Sequence, residues 1–310
     1  MRFEVIKTIY QAALADPKIV FLTGDLGHAH LDDFRKNLQD KYQYVNVGIA
    51  EQNMISIAAG LALSGNRVFV YSIAPFATLR CLEQIKVDVC YQNVGVVVIG
   101  VAAGYAYSTC GCTHHAIEDI AAMKALPNMH IYSPSNPLEA RLITKYILTA
   151  SHPAYLRIGK GGEPNAEKEY SLEIGKGLVV KHGENITIFA TGTMVREAVS
   201  ASDILEQHGI STEVINIHTI KPLDKELIEK SVRTRNMIFV LEEHNVIGGL
   251  GESIARIICE YDYKKKPLFR CLGIPDEYNH RTGSHQYMLG CYKLNAEAVA
   301  QQIMDLYRKA

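Results

Sequence analysis

"GIAEQNMISIAAGLALSG", residues 48–65, decides how the chain is read. It passes from a glycine turn into a run of Ala, Ile, Leu and Gly long enough for a helix, and Gly65-Asn66 breaks it. A β-branched run, "YVNVG" at 44–48, precedes it and another, "RVFVYS" at 67–72, follows. Strand, glycine, helix, strand is the repeating unit of a parallel sheet. The small residues suggest a helix packed closely in an interior. Its first turn nevertheless carries Glu51, followed by Gln52 and Asn53. A helix dipole favours an acid there, so position alone gives Glu51 no chemistry. The setting adds to this. Glu51 follows a strand and a glycine, at the carboxyl edge where open α/β sheets bind ligands. The helix behind it offers no rim of charge, so no charged partner is expected for it.

Outward from this stretch the same alternation continues. A helix is expected over 2–15, then a strand in "KIVFLTGD", a helix over 76–91, and a strand in "VGVVVIGV". Next come a helix in "HAIEDIAAMKAL", a strand in "MHIYS", a helix in "NPLEARLITKYIL" and a strand in "PAYLRIG". "GKGGEPNAEKEYSLEIGKG" at 159–177 is rich in Gly and charge and reads as a linker. Alternation then restarts with strands in "NITIFATG", "STEVINI", "NMIFVLEEH" and "LFRCLGI", and a last helix from about residue 295. The fold class is α/β: two consecutive three-layer α/β/α domains, over 1–160 and 178–310, joined by 161–177. Lys264-Lys265-Lys266 reads as a solvated loop.

Composition narrows the function. The chain has 310 residues, 48% hydrophobic and 21% charged, the balance of a soluble globular protein. A formal net charge of -1 gives no broad pull toward nucleic acid or an anionic membrane. The longest apolar run, at 94–106, is too short and glycine-rich to span a bilayer. The opening residues read as an amphipathic helix rather than a signal peptide. Seven scattered cysteines without framework spacing point to a reducing compartment, the cytoplasm. Cys110, Cys112, His114 and His115 crowd within six residues, but C-x-C-x-H-H lacks the usual zinc spacings, so no metal is expected. Other polar groups fall after strands of the first domain: Asp25 after one, His114 and His115 after another.

The stretch at 47–65 resembles the pyrimidine-binding half of thiamine diphosphate enzymes of the transketolase group. "TGDLG" at 23–27, "GCTHHAIEDIAAMKALPNM" at 111–129 and "YSPSNPLEA" at 132–140 are similar to that group's later motifs. "TIFATGTMVREAVSA", "IHTIKPLD" and "LEEHNVIGGLGESIA" resemble its C-terminal domain. The likeness covers essentially the whole chain, in order. It implies that Glu51 hydrogen-bonds a pyrimidine nitrogen of thiamine diphosphate, that Phe76 stacks on that ring, and that Asp25 lies close by. It implies that His114 touches substrate oxygens and moves protons. Glu118 and Asp119 read as helix caps rather than catalysts.

The resemblance also implies a missing half. The family holds its diphosphate through Mg²⁺ with a Gly-Asp-Gly and a later Asn, which this sequence lacks. The chain therefore looks like the C-terminal subunit of a split transketolase. An N-terminal subunit would supply the diphosphate and Mg²⁺ site in an α2β2 assembly, and this chain alone would show little activity. The reaction implied is transfer of a two-carbon ketol unit from a ketose donor to an aldehyde acceptor, on a sugar or sugar phosphate.

Departures from the family bear on that substrate. Cys110 replaces an Asp that contacts a sugar hydroxyl, and His115 replaces a Gln. Lys160 stands where Arg is common, and Ala103 where related synthases grip phosphate with Arg. Ala29 replaces a phosphate-contacting serine, flanked by His28 and His30. An unusual sugar is expected, or a phosphate held by His28, His30 and Lys160. Other readings are the β-subunit of a 2-oxo acid dehydrogenase, a deoxyxylulose-phosphate-synthase-like activity, a non-catalytic scaffold subunit, and a redox or metal protein built on Cys110 and Cys112.

Overall fold

The computed structural model describes residues 1–260 and 266–309, the side chain of His28 excepted. Lys264 and Lys265 of the expected loop lie outside the described residues. By its internal contacts the chain divides into two units, Met1–Ala103 with Ala122–Ile174, and Gly104–Ala121 with Gly175–Ala310.

The first unit carries strands β1 (Ile19–Thr23), β2 (Tyr44–Asn46), β3 (Arg67–Ile73), β4 (Val96–Val101), β5 (His130–Tyr132) and β6 (Ala154–Ile158). Within the unit they run in the order β5-β6-β4-β3-β1-β2, with every pair parallel. β1, β4 and β6 are buried along their whole length, as helices on both faces require. That is why "VVVIGV" shows no polar alternation. Phe21, Phe34, Tyr44 and Tyr71 form one aromatic cluster beneath β1 and β3, with the Phe21 and Phe34 ring centroids 4.7 Å apart. Each fully buried ring of this kind contributes roughly 1.5–3 kcal/mol relative to exposure.

Helices α1 (Arg2–Ala15), α3 (Glu51–Leu63) and α7 (Pro137–Thr149) occupy the expected segments, and a short α2 (Asp32–Leu38) adds to them. From β1 the chain crosses first to β2 and then back to β3, so the strand order reverses at β1. Open α/β sheets place their ligands at the carboxyl edge of such a reversal. The segment after β3 is not the single helix expected over 76–91. It is a short α4 (Ala74–Ala77), a 3-10 turn (Leu79–Cys81), a one-turn α5 (Leu82–Gln84) and a π-helical stretch (Ile85–Tyr91). Periodicity registers that the segment is helical but not the change of pitch.

The second unit contains β7 (Leu178–Lys181), β8 (Ile186–Ala190), β9 (Thr212–Asn216), a short β10 (Thr219–Lys221), β11 (Met237–Asn245) and β12 (Leu268–Ile274). Its sheet runs β12-β11-β8-β9-β7, parallel except for β7. Two apolar layers sandwich it. One joins α8 (Met194–Gln207) and α12 (Ala296–Tyr307) to the sheet through Met194, Ala198, Leu205, Val299 and Ile303. The other joins α9 (Lys225–Thr234) and α10 (Leu250–Glu260) to it through Ile228, Val232, Ile254 and Ile257. In the expected helix "HAIEDIAAMKAL" only α6 (Asp119–Lys124) is α-helical, because Ala116 bridges to Gly104 instead. The short helix α11 (His285–Cys291) follows β12.

Candidate active site

Glu51 opens α3 at the carboxyl edge of the first sheet and is 3% exposed. The end of β1 passes directly over it: a Cβ on Gly24 would lie 3.6 Å from the Glu51 Cγ. Ser72, on β3, donates its hydroxyl to Glu51 Oε1 at 3.4 Å. Arg80 donates from Nη1 to Oε2 at 2.8 Å. The expectation that Glu51 lacks a charged partner is therefore corrected. The helix itself offers none, but the 3-10 turn after β3 does. The same guanidinium lies over Phe76, its Cζ 4.2 Å from the ring centroid, the two residues being one helical turn apart. Gln52 fixes the turn from the other side by donating to the Arg80 carbonyl at 3.1 Å. The buried Cys81 thiol is pushed up to about 12, by burial first and then by the Glu51 charge.

The closely packed interior expected around α3 is found on one face only. Met54, Ile55, Ala58 and Ala59 are buried, whereas Gln52, Asn53, Ser56, Ile57, Gly60 and Leu63 are exposed. Of the small residues, Ala58 and Ala59 pack inward, whereas Ser56 and Gly60 lie on an open face.

Asp25 follows β1 at the same edge, exposed and in the left-handed region at φ 58. Asp tolerates that region because its side chain bonds locally. Here Asn46 at the end of β2 does the holding: its amide donates to Asp25 Oδ1 at 2.9 Å, and its carbonyl accepts from the backbone N–H of Asp25 and of Gly48 at 3.0 Å each. Lys160 is exposed just beyond β6, again at a carboxyl end. His30 is exposed and bonds Arg2 through Nε2. Its pKa is lowered by burial and then by the Arg2 charge, so it is neutral near pH 7.

The second unit holds the segment expected to touch substrate. Cys110 and Cys112 are exposed on either side of Gly111. His114 is half-buried, with Nδ1 3.0 Å from the Thr113 hydroxyl, and stands edge-on to Tyr107. His115 is only 4% exposed and lies edge-on to Tyr105, its pKa lowered chiefly by burial. The sequence reading overlooked the group that fastens this segment. Glu243, buried on β11, accepts from the Tyr105 N–H at 2.7 Å and from His285 Nε2 at 2.7 Å. Gly104, at φ +61, lets the backbone pass against it, since a Cβ there would stand 2.2 Å from the Glu243 carboxyl carbon. Ser108 bonds the Gly283 carbonyl at 2.6 Å, and Asn245 N–H bonds the Ile117 carbonyl at 2.8 Å. Neighbouring Glu242 accepts from Leu250 and Gly251 N–H at 2.7 and 2.8 Å and so caps α10. Two acids inside the apolar run "FVLEEH" were the available signal, since buried carboxylates have partners.

The donor set at Glu51 suits a flat nitrogen heterocycle. A guanidinium is planar, cationic and rich in N–H groups, and here it bonds the buried carboxylate while lying across an aromatic face. No group of three or more His, Cys, Asp or Glu side chains converges as a metal site among the described residues.

Two family models match. "Transketolase, pyrimidine binding domain" covers residues 3–163 and "Transketolase, C-terminal domain" covers 175–299. The chain belongs to the transketolase family. Its relatives include an apulose-4-phosphate transketolase subunit from Phocaeicola vulgatus, 35% identical over 97% of this chain and 96% of that one. Another is a 6-deoxy-6-sulfo-D-fructose transketolase subunit from Clostridium sp. (strain MSTE9), 33% identical over 88% of this chain and 86% of that one. Among solved structures, a split-gene transketolase described as an inactive beta4 tetramer superposes with a TM-score of 0.88. It is 34% identical and matches over 98% of this chain and 97% of that one. This transketolase chain thus carries the pyrimidine-binding and C-terminal domains of a thiamine diphosphate-dependent family, and it matches subunits of split transketolases over nearly their whole length. The same relatives support ketol transfer over the dehydrogenase β-subunit reading. Among the described residues, no helix is long and apolar enough to cross a membrane.

Proposed function

We propose that this chain supplies the pyrimidine side of a two-chain thiamine diphosphate site and transfers a two-carbon ketol unit between unusual sugars in the cytoplasm. One observation carries the reading: a buried carboxylate, Glu51, and an aromatic ring, Phe76, together grip a planar nitrogen cation. Thiamine diphosphate, when bound, supplies a nucleophilic carbon and accepts the charge left when a ketose is cleaved. Glu51 holds a proton at a ring nitrogen of the pyrimidine, and its near-complete burial lets that proton be shared rather than lost to water. Phe76 stacks on the ring. Asp25, locked by Asn46, lines the same edge. His114 takes and returns protons at substrate oxygens, with Thr113 beside its Nδ1.

The diphosphate and Mg²⁺ belong to an N-terminal partner subunit in an α2β2 assembly. Support comes from the open face of the helix that Glu51 begins, and from relatives named as subunits. Substrate recognition falls to Lys160, to Cys110 and to His30 with His28. His30, neutral and paired with Arg2, gives a hydrogen bond rather than a charge. His115 is too buried for direct contact and sets the backbone that carries His114. The relatives that act on apulose 4-phosphate and a sulfonated fructose make an atypical sugar with a terminal anion the best class to test.

The test is reconstitution with the diphosphate-binding partner and a screen of ketose donors. Glu51→Gln is expected to cut turnover by about 10²–10⁴-fold, the range for loss of positioned proton transfer. Unchanged turnover would remove Glu51 from the chemistry. Normal rates with xylulose 5-phosphate and ribose 5-phosphate would remove the unusual-sugar assignment.

A further inference from the structure

We infer that the Arg80 side chain is a built-in occupant of the pyrimidine site, standing in for the cofactor until it arrives and swinging out when it binds. This rests on the cofactor assignment proposed above. The guanidinium makes both of the contacts that assignment gives to the pyrimidine. It donates to Glu51 Oε2 at 2.8 Å, and its central carbon lies 4.2 Å from the Phe76 ring centroid. It therefore lies between the two groups that would bind the ring, and a stacked heterocycle bonded to the same oxygen would overlap it.

Arg80 is also built to leave. Its side chain is 43% exposed, whereas Glu51 is 3% exposed, so the cation has open solvent to move into and the carboxylate does not. The Gln52 amide holds only the Arg80 carbonyl, so the backbone of the turn can stay while the side chain rotates. In the cofactor-free chain the pair keeps Glu51 from being an isolated buried charge. The alternatives are that Arg80 is a ligand of the bound cofactor, or a plain ion pair that binding leaves in place.

The consequence is a measurable loss of affinity. A site occupied by its own side chain binds ligand more weakly by the fraction of molecules in which it is open. One half-exposed ion pair and one cation–π contact hold Arg80 in, which together correspond to roughly a tenfold bias. Isothermal titration of thiamine diphosphate with Mg²⁺ into the complex of this chain and its partner reads it directly. Arg80→Ala is expected to bind the cofactor about three- to tenfold more tightly than the unmodified complex, and Arg80→Lys, which keeps charge but loses the planar stack, less so. The melting temperature of the cofactor-free complex should fall in Arg80→Ala, while that of the loaded complex should change little. Equal or weaker cofactor binding by Arg80→Ala overturns the inference and makes Arg80 a bystander or a ligand. If Arg80→Ala does not fold, the direction of the Arg80→Lys change decides in the same way. If the unmodified complex binds no thiamine diphosphate, the cofactor assignment itself fails, and this inference with it.

Discussion

Glu51 and Arg80 differ in what each loses when the other is removed. Glu51 is enclosed, so deleting Arg80 strands a negative charge that, among the described residues, keeps the Ser72 hydroxyl, 3.4 Å away, as its side-chain donor. Arg80 is half in water, so deleting the carboxylate costs it little. Arg80→Ala is therefore expected to destabilise the isolated chain by about 1–2 kcal/mol, less than for a wholly buried pair because water reaches the cation. Glu51→Gln should be close to neutral, and the double variant should recover most of the Arg80→Ala loss. Urea unfolding of the four proteins measures this coupling directly. At this scale half of the candidate site was legible in the sequence. Glu51 stood out because a strand and a glycine precede it, and Phe76 because of its family likeness. Arg80 did not, since its contact with Glu51 spans 29 positions and depends on a 3-10 turn that apolar periodicity does not register.

Elements place the remaining groups, and here sequence reading failed where local contacts override propensity. "HAIEDIAAMKAL" has a helical pattern, yet its first half is drawn into a bridge with Gly104 and tied to β11 through Ile117. Glu243 is the centre of that arrangement. Glu243→Ala should remove the carboxylate oxygen that the buried Tyr105 N–H and His285 Nε2 share, at a cost of about 2–3 kcal/mol. Hydrogen exchange over 104–118 should quicken more than over β8 or α8, and uniform exchange would refute the anchoring role. Gly104→Ala should destabilise as much or more, since it meets both the left-handed φ and the Glu243 carboxyl. A second case lies between β5 and β6 of the first unit, where His130 and His152 stack with centroids 3.6 Å apart and Tyr132 bonds His152 Nε2 at 3.0 Å. Burial, then the charges of His130 and Arg67, hold His152 at about 4 against an ordinary 6.5. The folded chain thus binds fewer protons than the unfolded one between those values. Stability from this site is complete above pH 6.5 and is lost as pH falls toward 4. His152→Gln should flatten the melting-temperature profile between those limits. An unchanged slope would mean that other groups set it.

For the whole molecule, the α/β class was legible because buried parallel strands show as unbroken β-branched runs, and a partner was expected because the diphosphate motif is missing. What the sequence could not show is the surface that a partner would cover. The whole of α3 looked like interior packing, and in the folded chain only one side of it is buried, while Ser56, Ile57, Gly60 and Leu63 form an open face. Ile57 and Leu63 on α3, Leu79 on the 3-10 turn, and Val87 and Tyr91 on the π-helical stretch are all at least 36% exposed. Ser56 ties α3 to that stretch by donating to Asp88 at 2.7 Å, so these side chains belong to adjoining elements. This face starts at Glu51, and a chain that covers it would also reach the proposed pyrimidine site. A Cβ at Gly60 meets nothing within 4 Å, so the position accepts a side chain without internal strain. Gly60→Glu should leave the melting temperature of the isolated chain unchanged or slightly raised, because glycine costs a helix about 1 kcal/mol relative to better helix formers. The same variant, and Ile57→Arg beside it, should prevent association with the partner, because each buries a charge in an apolar contact. Sedimentation velocity on mixtures of the two chains separates the effects: retained stability with lost association places the partner on α3, whereas normal association by both variants places it elsewhere.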